Sequence, residues 1–481
     1  MTRPGIACLI FLCLLLTACN ASISIYGGGA GIRQATATPT PQRSIPMPAT
    51  QTSCPSVSPS NPLGTRAAVM RPLGLGSHQN LVYVYNEGQP QISAAHGHLV
   101  RYDITTSRRV TIATSGLRIS EAQVSADGQW IMFLSLPDPH SDPNHVALLQ
   151  MVRLDGQGLQ TLYCFPKLPY TPEDGIFSAF QGRGILSYAY PPLRFIWSPD
   201  ERHVLLSADL EGTTSLMTLL DIRTGSLRQL LLYSQYCRLA IPLTWLDSNQ
   251  AYIVTEGRAT CGSPPPPMDL YLLNIAKSTN PVDPQWNAIL SQNVRFTEAS
   301  VDISPDSSHL FTSTCEMTEP FVTTIIGEPA RGGAQTIIYH QLASAQNPES
   351  CVESIRATAK NALLMLIHSG RSYLQCGENS QQYRDAFQLA TLSTAGHSQP
   401  RILANLERGR SYSLGQDVPT LWSLVSRDSR FYAITAARVP TTCSQRSVET
   451  MILYGRLSGG APVVVVRTSA GTVDVVGWTA L

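Results

Sequence analysis

The chain has 481 residues, 43% of them hydrophobic, which is enough apolar material for a large core. Lys and Arg number 34 against 33 Asp and Glu, so the net charge of +1 lacks the basic excess that is typical of nucleic-acid-binding proteins. Only 14% of the residues are charged, a composition that favours strands and turns over solvent-exposed helices. We therefore expect a β-rich protein that does not bind nucleic acid.

Residues 1–18 have the pattern of an export signal. Arg3 precedes an apolar run over residues 6–16, and these 11 residues are too few for a membrane-spanning helix, which needs about 20. The run ends at the tetrapeptide LTAC, which resembles the processing box of bacterial lipoproteins and whose last residue is Cys19. That resemblance implies lipidation of Cys19 and an anchor on the extracytoplasmic side of a membrane, in the cell envelope. An ordinary signal that is cleaved nearby is the alternative.

Residues 19–63 are rich in Ala, Thr, Ser, Pro and Gly and cannot bury enough apolar surface to fold alone. We interpret this segment as a tether, which could hold the following domain up to roughly 100 Å from the membrane. The predicted organisation is therefore a signal peptide (1–18), a lipidated tether (19–63) and a single folded domain (64–481).

A short turn recurs along this domain. Each copy contains Ser-x-Asp, an aromatic residue or His three positions after the Asp, and then an apolar strand. The four turn aspartates are Asp127, Asp200, Asp306 and Asp428. Since Ser and Asp side chains can bond to the backbone of a turn, we interpret these aspartates as structural and not as catalytic residues.

The repeat resembles that of TolB-type, WD-like propellers, with S-P-D at the first turn of a unit and D-G-x-G at the second. The resemblance implies an all-β fold, a single β-propeller of four-stranded blades. The domain begins with what looks like a second strand at residues 81–85 and ends with a first strand at 473–478, so we expect the C-terminal strand to close the ring. This predicts seven blades, with six or eight as alternatives. TolB carries an α/β domain before its propeller, whereas this chain has only a tether there. The partners of TolB are therefore not expected to bind this chain.

In such a blade the connections between strands one and two, and between strands three and four, lie on one face, here named the turn face. The other connections lie on the opposite face, the loop face. The long connections predicted on the loop face are 137–145, 165–192, 257–267, 316–334, 369–383 and 437–447. Long loops in compact domains tend to be functional, although neutral drift is an alternative. The loop face is therefore the predicted surface for a protein or glycan ligand, with aromatic residues such as Phe177, Phe180, Tyr188 and Tyr190.

Three of the 11 cysteines lie within the signal or at its end, and the remaining eight are compatible with disulfides in an oxidising compartment. No C-x-x-C pair occurs, so no metal site is predicted. We predict two disulfides that each flank one hairpin, Cys237–Cys261 and Cys351–Cys376. A competing scheme joins Cys351 to Cys315 and Cys376 to Cys443.

The sequence contains no nucleophile elbow, no H-E-x-x-H helix, no phosphate-binding loop and no calcium loop. His203 and His309 occupy equivalent repeat positions, which indicates a structural role. We therefore predict no catalytic residue, no metal ligand and no cofactor. Two functions remain, a monomeric, membrane-anchored binding or scaffolding module and, as the alternative, a lyase or glycan hydrolase that uses the central pocket. Clustered carboxylates and histidines at the channel would favour the enzyme.

Overall fold

The structure is a computed structural model, and all the residues that it describes lie within one compact unit, Pro46–Leu481. The described residues are 72–74, 76–88, 96–116, 118–136, 145–166, 194–210, 214–234, 238–257, 268–276, 289–294, 300–316, 321–343, 350–359, 361–369, 386–396, 398–414, 424–438 and 449–480. The predicted signal peptide and tether lie outside them.

The chain forms 28 strands in the described residues. The first three are β1 (Gln79–Glu87), β2 (Gly97–Asp103) and β3 (Arg109–Ser115). The next four are β4 (Ile119–Val124), β5 (Trp130–Ser135), β6 (His145–Arg153) and β7 (Gln160–Pro166). They are followed by β8 (Arg194–Trp197), β9 (His203–Leu210), β10 (Thr214–Asp221) and β11 (Leu227–Ser234). Then come β12 (Arg238–Trp245), β13 (Gln250–Gly257), β14 (Met268–Asn274) and β15 (Ile289–Val294).

The second half of the chain continues the same pattern. It contains β16 (Ser300–Ile303), β17 (His309–Glu316), β18 (Val322–Pro329) and β19 (Thr336–Leu342). The next group is β20 (Ser350–Thr358), β21 (Ala362–Ser369), β22 (Ala386–Ser393) and β23 (Arg401–Asn405). The last strands are β24 (Arg410–Ser413), β25 (Phe431–Arg438), β26 (Thr450–Arg456), β27 (Val463–Thr468) and β28 (Gly471–Ala480).

These strands make seven antiparallel sheets of four strands each, which confirms the predicted seven-bladed, all-β propeller. Six blades follow chain order (β4–β7, β8–β11 and so on), and blade 1 has the order β28-β1-β2-β3. First strands of neighbouring blades contact each other, as β28 does with β4, β4 with β8, and β8 with β12. The first strand of each blade is therefore the innermost one, nearest the propeller axis.

The C-terminal strand closes the ring, as predicted. β28 pairs with β1 along its whole length, from Gln79 opposite Ala480 to Glu87 opposite Gly471. Trp478 on β28 is fully buried, and its indole Nε1 donates to the carbonyl oxygen of Leu424 at 3.1 Å. Its ring stacks on Phe431 of blade 7 with centroids 5.9 Å apart. The closing strand thus joins blade 1 to blade 7 through side chains as well as through the β1 ladder.

The core consists of layers between neighbouring blades. On β5, which is buried along its length, Ile131 and Phe133 pack in a cluster with blade 1 residues, whereas Met132 and Leu134 pack in a cluster with blade 3 residues. Successive side chains of a strand point to opposite faces of the sheet, so a second strand that is covered on both faces must be apolar throughout. This requirement explains the almost unbroken apolar run after each repeat turn.

Two expectations about connection lengths are wrong. The predicted long loop 316–334 contains β18 (Val322–Pro329), so the connection from β17 is only residues 317–321. The turn face also carries two long connections, 275–288 between β14 and β15 and 414–430 between β24 and β25.

Truncation of the closing tryptophan should destabilise the whole propeller. We expect Trp478→Ala to lower the free energy of unfolding by about 3–5 kcal/mol, because a fully buried indole is lost from the seam between blades 1 and 7. Urea unfolding followed by circular dichroism measures this change. Val463→Ala on the outer strand β27, where the side chain is 47% exposed, is the matched control and should cost little. Equal losses for the two variants would contradict the closure.

Candidate functional site

The four predicted turn aspartates occupy the same place in four turns on the turn face. In the first copy Ser125 Oγ donates to Asp127 Oδ1 at 2.5 Å, and the same carboxylate oxygen accepts the N–H of Gln129 at 3.0 Å. The N–H of Trp130, the first residue of β5, donates to Ser125 Oγ at 3.0 Å. The equivalent serine–aspartate hydrogen bonds are Ser198–Asp200 (2.5 Å), Ser304–Asp306 (2.5 Å) and Ser426–Asp428 (2.6 Å). Ser and Asp together therefore hold the backbone that starts each second strand.

The residue after each aspartate has a left-handed backbone, with φ of 73° at Gly128, 56° at Glu201, 57° at Ser307 and 49° at Ser429. Two of the non-glycine side chains at this position bond to the preceding blade. Glu201 Oε1 accepts the N–H of Asp127 at 2.7 Å, and Ser429 Oγ accepts the N–H of Ala359 at 2.8 Å. The turns therefore also connect neighbouring blades.

The ionisable side chains of these turns make local contacts. Hydrogen bonds from Ser304 and Ser308 lower the pKa of Asp306 to about 2, so this carboxylate is a poor proton acceptor. His203, at the start of β9, has its pKa lowered by burial, and its Nδ1 lies 3.8 Å from Asp200 Oδ2. His309, at the start of β17, contacts Ser308 Oγ through Nδ1 at 2.8 Å. Each of these side chains therefore contacts another residue of its own turn.

Polar side chains that sequence analysis did not identify lie on the innermost strands. Glu121 and Gln123 of β4 accept hydrogen bonds from backbone N–H groups of β8, from Phe195 to Glu121 Oε2 at 3.2 Å and from Trp197 to Gln123 Oε1 at 3.0 Å. At another seam the N–H of Ala357 in β20 donates to Asp302 Oδ2 at 2.6 Å. The side chains of one blade therefore satisfy the free backbone edge of the next.

Burial strongly affects the two carboxyl groups of these seams. It raises the pKa of Glu121 to about 8, against the opposing effects of the Arg194 charge and of the Phe195 hydrogen bond. It raises the pKa of Asp302 to about 6, and the charge of Arg356 acts in the opposite direction. Both shifts follow from the cost of removing a charged carboxylate from water.

These two carboxyl groups lie in different seams, between blades 2 and 3 and between blades 5 and 6. Within the described parts of the chain, no group of three or more His, Cys, Asp and Glu residues is placed to hold a metal ion.

A disulfide joins blades 5 and 6 at the loop face. Cys315, near the end of β17, is bonded to Cys351, at the start of β20, with their Cα atoms 6.0 Å apart. The predicted Cys351–Cys376 pair is therefore wrong, and this bond belongs to the competing scheme. The prediction kept both cysteines within one blade, whereas the first strand of a blade lies against the second strand of the blade before it.

The other predicted residues of this face lie outside the described residues. They are Cys237, Cys261, Cys376, Cys443, Phe177, Phe180, Tyr188 and Tyr190. The pair Cys237–Cys261 stays a prediction. Cys164, at the loop-face end of β7, is disulfide-bonded as well. Cys19 also lies outside, and in the described part of the chain no helix is long and apolar enough to cross a membrane.

Aromatic packing near the loop face joins blades 6 and 7. The rings of His368 and Phe387 are stacked with centroids 4.6 Å apart, and Tyr412 meets Phe387 edge-on at 5.4 Å. Buried Arg410 beside them forms ion pairs with Glu407 at 2.9 Å and Glu449 at 2.7 Å. These residues come from three strands and two loops, so no local spacing in the sequence could have identified them.

No protein-family model matches the chain, and no curated protein sequence matches it. Solved structures are similar at low identity. TolB from Acinetobacter baumannii is 11% identical with a TM-score of 0.39, over 82% of this chain and 81% of that one. An oligogalacturonate lyase in complex with manganese is 11% identical with a TM-score of 0.46, over 80% and 94%. A prolyl endopeptidase is 10% identical with a TM-score of 0.48, over 84% of this chain and 50% of that one, so the chain spans about half of its length.

The predicted propeller of four-stranded blades is confirmed by the strand order of the seven sheets, and TolB is among the structures to which the chain is similar. At these identities the likeness concerns the fold alone.

The buried carboxyl of Glu121 should make stability depend on pH. Its folded pKa of about 8 exceeds the value of about 4.5 in an unfolded chain, so the folded state retains a proton that the unfolded state releases between these values. Stability should therefore decrease as the pH rises from 5 to 9. Glu121→Gln keeps an oxygen acceptor for Phe195 and should remove this part of the decrease, so that the variant is the more stable protein at pH 9.

Thermal unfolding of both proteins across this pH range measures the effect. Glu316→Gln, at an exposed side chain, controls for the loss of one acidic group. Parallel stability curves for the parent and Glu121→Gln would contradict the burial of an uncharged carboxyl at this seam.

Proposed function

We propose that the chain is a lipoprotein of the bacterial cell envelope whose propeller binds a protein or glycan partner through the loop face. The observation that carries this proposal is the disulfide Cys315–Cys351 at the loop face. Disulfides form and persist in oxidising compartments, which fits export by the apolar signal at residues 6–16.

The disulfide also orders part of the loop face, which favours the binding of a partner there. It fixes the end of β17 to the start of β20, and between these points the chain makes β18, β19 and two loop-face connections. A surface that is ordered in advance loses less conformational entropy when it binds a partner. The seam carboxyls Glu121 and Asp302 are used in holding blades together, which favours a binding module over an enzyme of the central pocket.

The first described residues of the chain contact the turn face, opposite the loop face. The N–H of Leu73 donates to Gln129 Oε1 at 2.8 Å, and Gln129 lies in the first turn of blade 2, on the turn face. The described chain therefore reaches the propeller at the turn face, opposite the loop face.

The anchor is tested by Cys19→Ser. We expect the parent to incorporate labelled palmitate and to fractionate with membranes, and the variant to lose the label and to be released or left unprocessed. Cys13→Ser, within the apolar run, is the matched control and should behave like the parent. Normal cleavage of Cys19→Ser with unchanged membrane retention would refute the anchor.

The face is tested by radical footprinting of the complex that the tagged chain forms with a partner from an envelope fraction. Leu342 and Ile337 lie at the two ends of β19 and are 56% and 59% exposed, with Leu342 at the loop face and Ile337 at the turn face. We expect the partner to reduce oxidation of Leu342 several-fold and to leave Ile337 unchanged. Protection confined to Ile337, or the absence of any stable complex, would contradict recognition by the loop face.

A further inference from the structure

A cavity of about 440 Å³ lies between blades 6 and 7 on the turn face, opposite the proposed recognition surface. Arg401 at the start of β23 contributes from blade 6, and Arg430 and Arg456 contribute from blade 7. Four hydroxyl side chains, among them Ser429 and Ser458, line it together with apolar residues such as Phe431 and Leu457. The volume is in the range of sites that bind small molecules.

The positive charge of this cavity is weakly compensated. None of the described residues that line it is acidic. The nearest carboxylate to Arg430 is that of Asp428, whose Oδ2 lies 3.9 Å from Nε and whose Oδ1 already accepts from Ser426. Within the described residues neither Arg401 nor Arg456 forms an ion pair with a carboxylate. Within the described residues, no carboxylate therefore compensates the charges of Arg401 and Arg456, and the contact of Asp428 with Arg430 is long, at 3.9 Å.

The arginines are held in place before any ligand binds. Arg401 donates from Nη1 to the carbonyl oxygen of Ser458 at 3.1 Å and from Nη2 to that of Leu457 at 2.6 Å. The guanidinium carbons of Arg430 and Arg456 lie 5.8 Å and 5.9 Å from the ring centre of Phe431. All three arginines are exposed, and the cation–π contacts with the buried ring modestly favour these positions of Arg430 and Arg456. Preorganised guanidinium groups lose less entropy when they bind an anion.

This arrangement points to a phosphate group. Guanidinium groups donate pairs of parallel hydrogen bonds to carboxylates and phosphates. A carboxylate has two oxygens, which a single guanidinium fork can satisfy, whereas three arginines from two blades suit an anion with three or four oxygens. The volume exceeds that of a bare phosphate ion and leaves space for an organic group with further hydroxyl contacts.

We propose that the cavity between blades 6 and 7 is a binding site for the phosphate group of a small phosphorylated ligand, held by Arg401, Arg430 and Arg456. The same chemistry could come from a soluble phosphate ester or from the headgroup of an anionic phospholipid. The site lies on the face where the chain enters the propeller next to Gln129. It is independent of the loop face and of the partner proposed there.

Binding is measured on the full chain carrying Cys19→Ser, so that no acyl chain can attach. Isothermal titration with glycerol 3-phosphate and with inorganic phosphate tests the soluble source. Sedimentation with phosphatidylglycerol vesicles, compared with phosphatidylcholine vesicles, tests the lipid source. We expect Arg456→Gln to weaken binding of the phosphate probe about 10- to 100-fold, the usual effect of losing a charged hydrogen-bond donor.

Two variants make the result decisive. Arg438→Gln removes one arginine from the opposite end of β25, at the loop face, and should leave the affinity within about 2-fold of the parent. Arg456→Lys keeps the charge without the fork and should give an intermediate affinity. Binding of glycerol 3-phosphate identifies a soluble ligand, and binding of phosphatidylglycerol vesicles alone identifies a lipid headgroup. Failure of both probes, or equal weakening by Arg456→Gln and Arg438→Gln, would overturn the proposal, whatever the outcome at the loop face.

Discussion

The free backbone edge of each innermost strand is the constraint on which the propeller depends. A four-stranded blade pairs its first strand on one side only, and the unpaired N–H groups on the other side lie where water has little access. Side chains of the preceding blade solve this problem, as Glu121 and Gln123 do for β8 and Asp302 does for β20. This requirement places ionisable groups inside an otherwise apolar molecule, and burial then favours their uncharged forms.

The repeat explains how much of the fold could be predicted from the sequence. Asp127, Asp200, Asp306 and Asp428 mark turns whose geometry is set by neighbours within five residues, so a local pattern was sufficient. Residues 81–85 look like a second strand without a first, and residues 473–478 look like a first strand without a second. Because a blade needs all four strands, this pattern predicted the closure of the ring. Contacts between blades were not predictable in this way. Cys315 and Cys351 meet across a seam, and Arg401, Arg430 and Arg456 come together from strands and turns of two blades, without a common spacing.

The two faces of the propeller differ in how they are built. On the turn face, hydrogen bonds hold each turn, and a cavity lies beside Phe431 between blades 6 and 7. On the loop face, the described strand ends are fixed by covalent and aromatic contacts, such as Cys315–Cys351 and the stacking of His368 on Phe387. The turn face, with its cavity between two blades, suits a small ligand. The loop face suits a larger partner that contacts several blades.

The pairing of β28 with β1 has a consequence for the biogenesis of the protein. β28 is the last described strand along the chain, so blade 1 lacks its innermost strand until residues 471–480 have been synthesised. Until then Leu81 and Val82, which are fully buried in the closed ring, lie on an unprotected strand that can pair with another chain. Contacts so distant in sequence also form slowly. Before β28 pairs with β1 the chain is therefore open at blade 1, and the rate of closure sets how long this aggregation-prone state lasts.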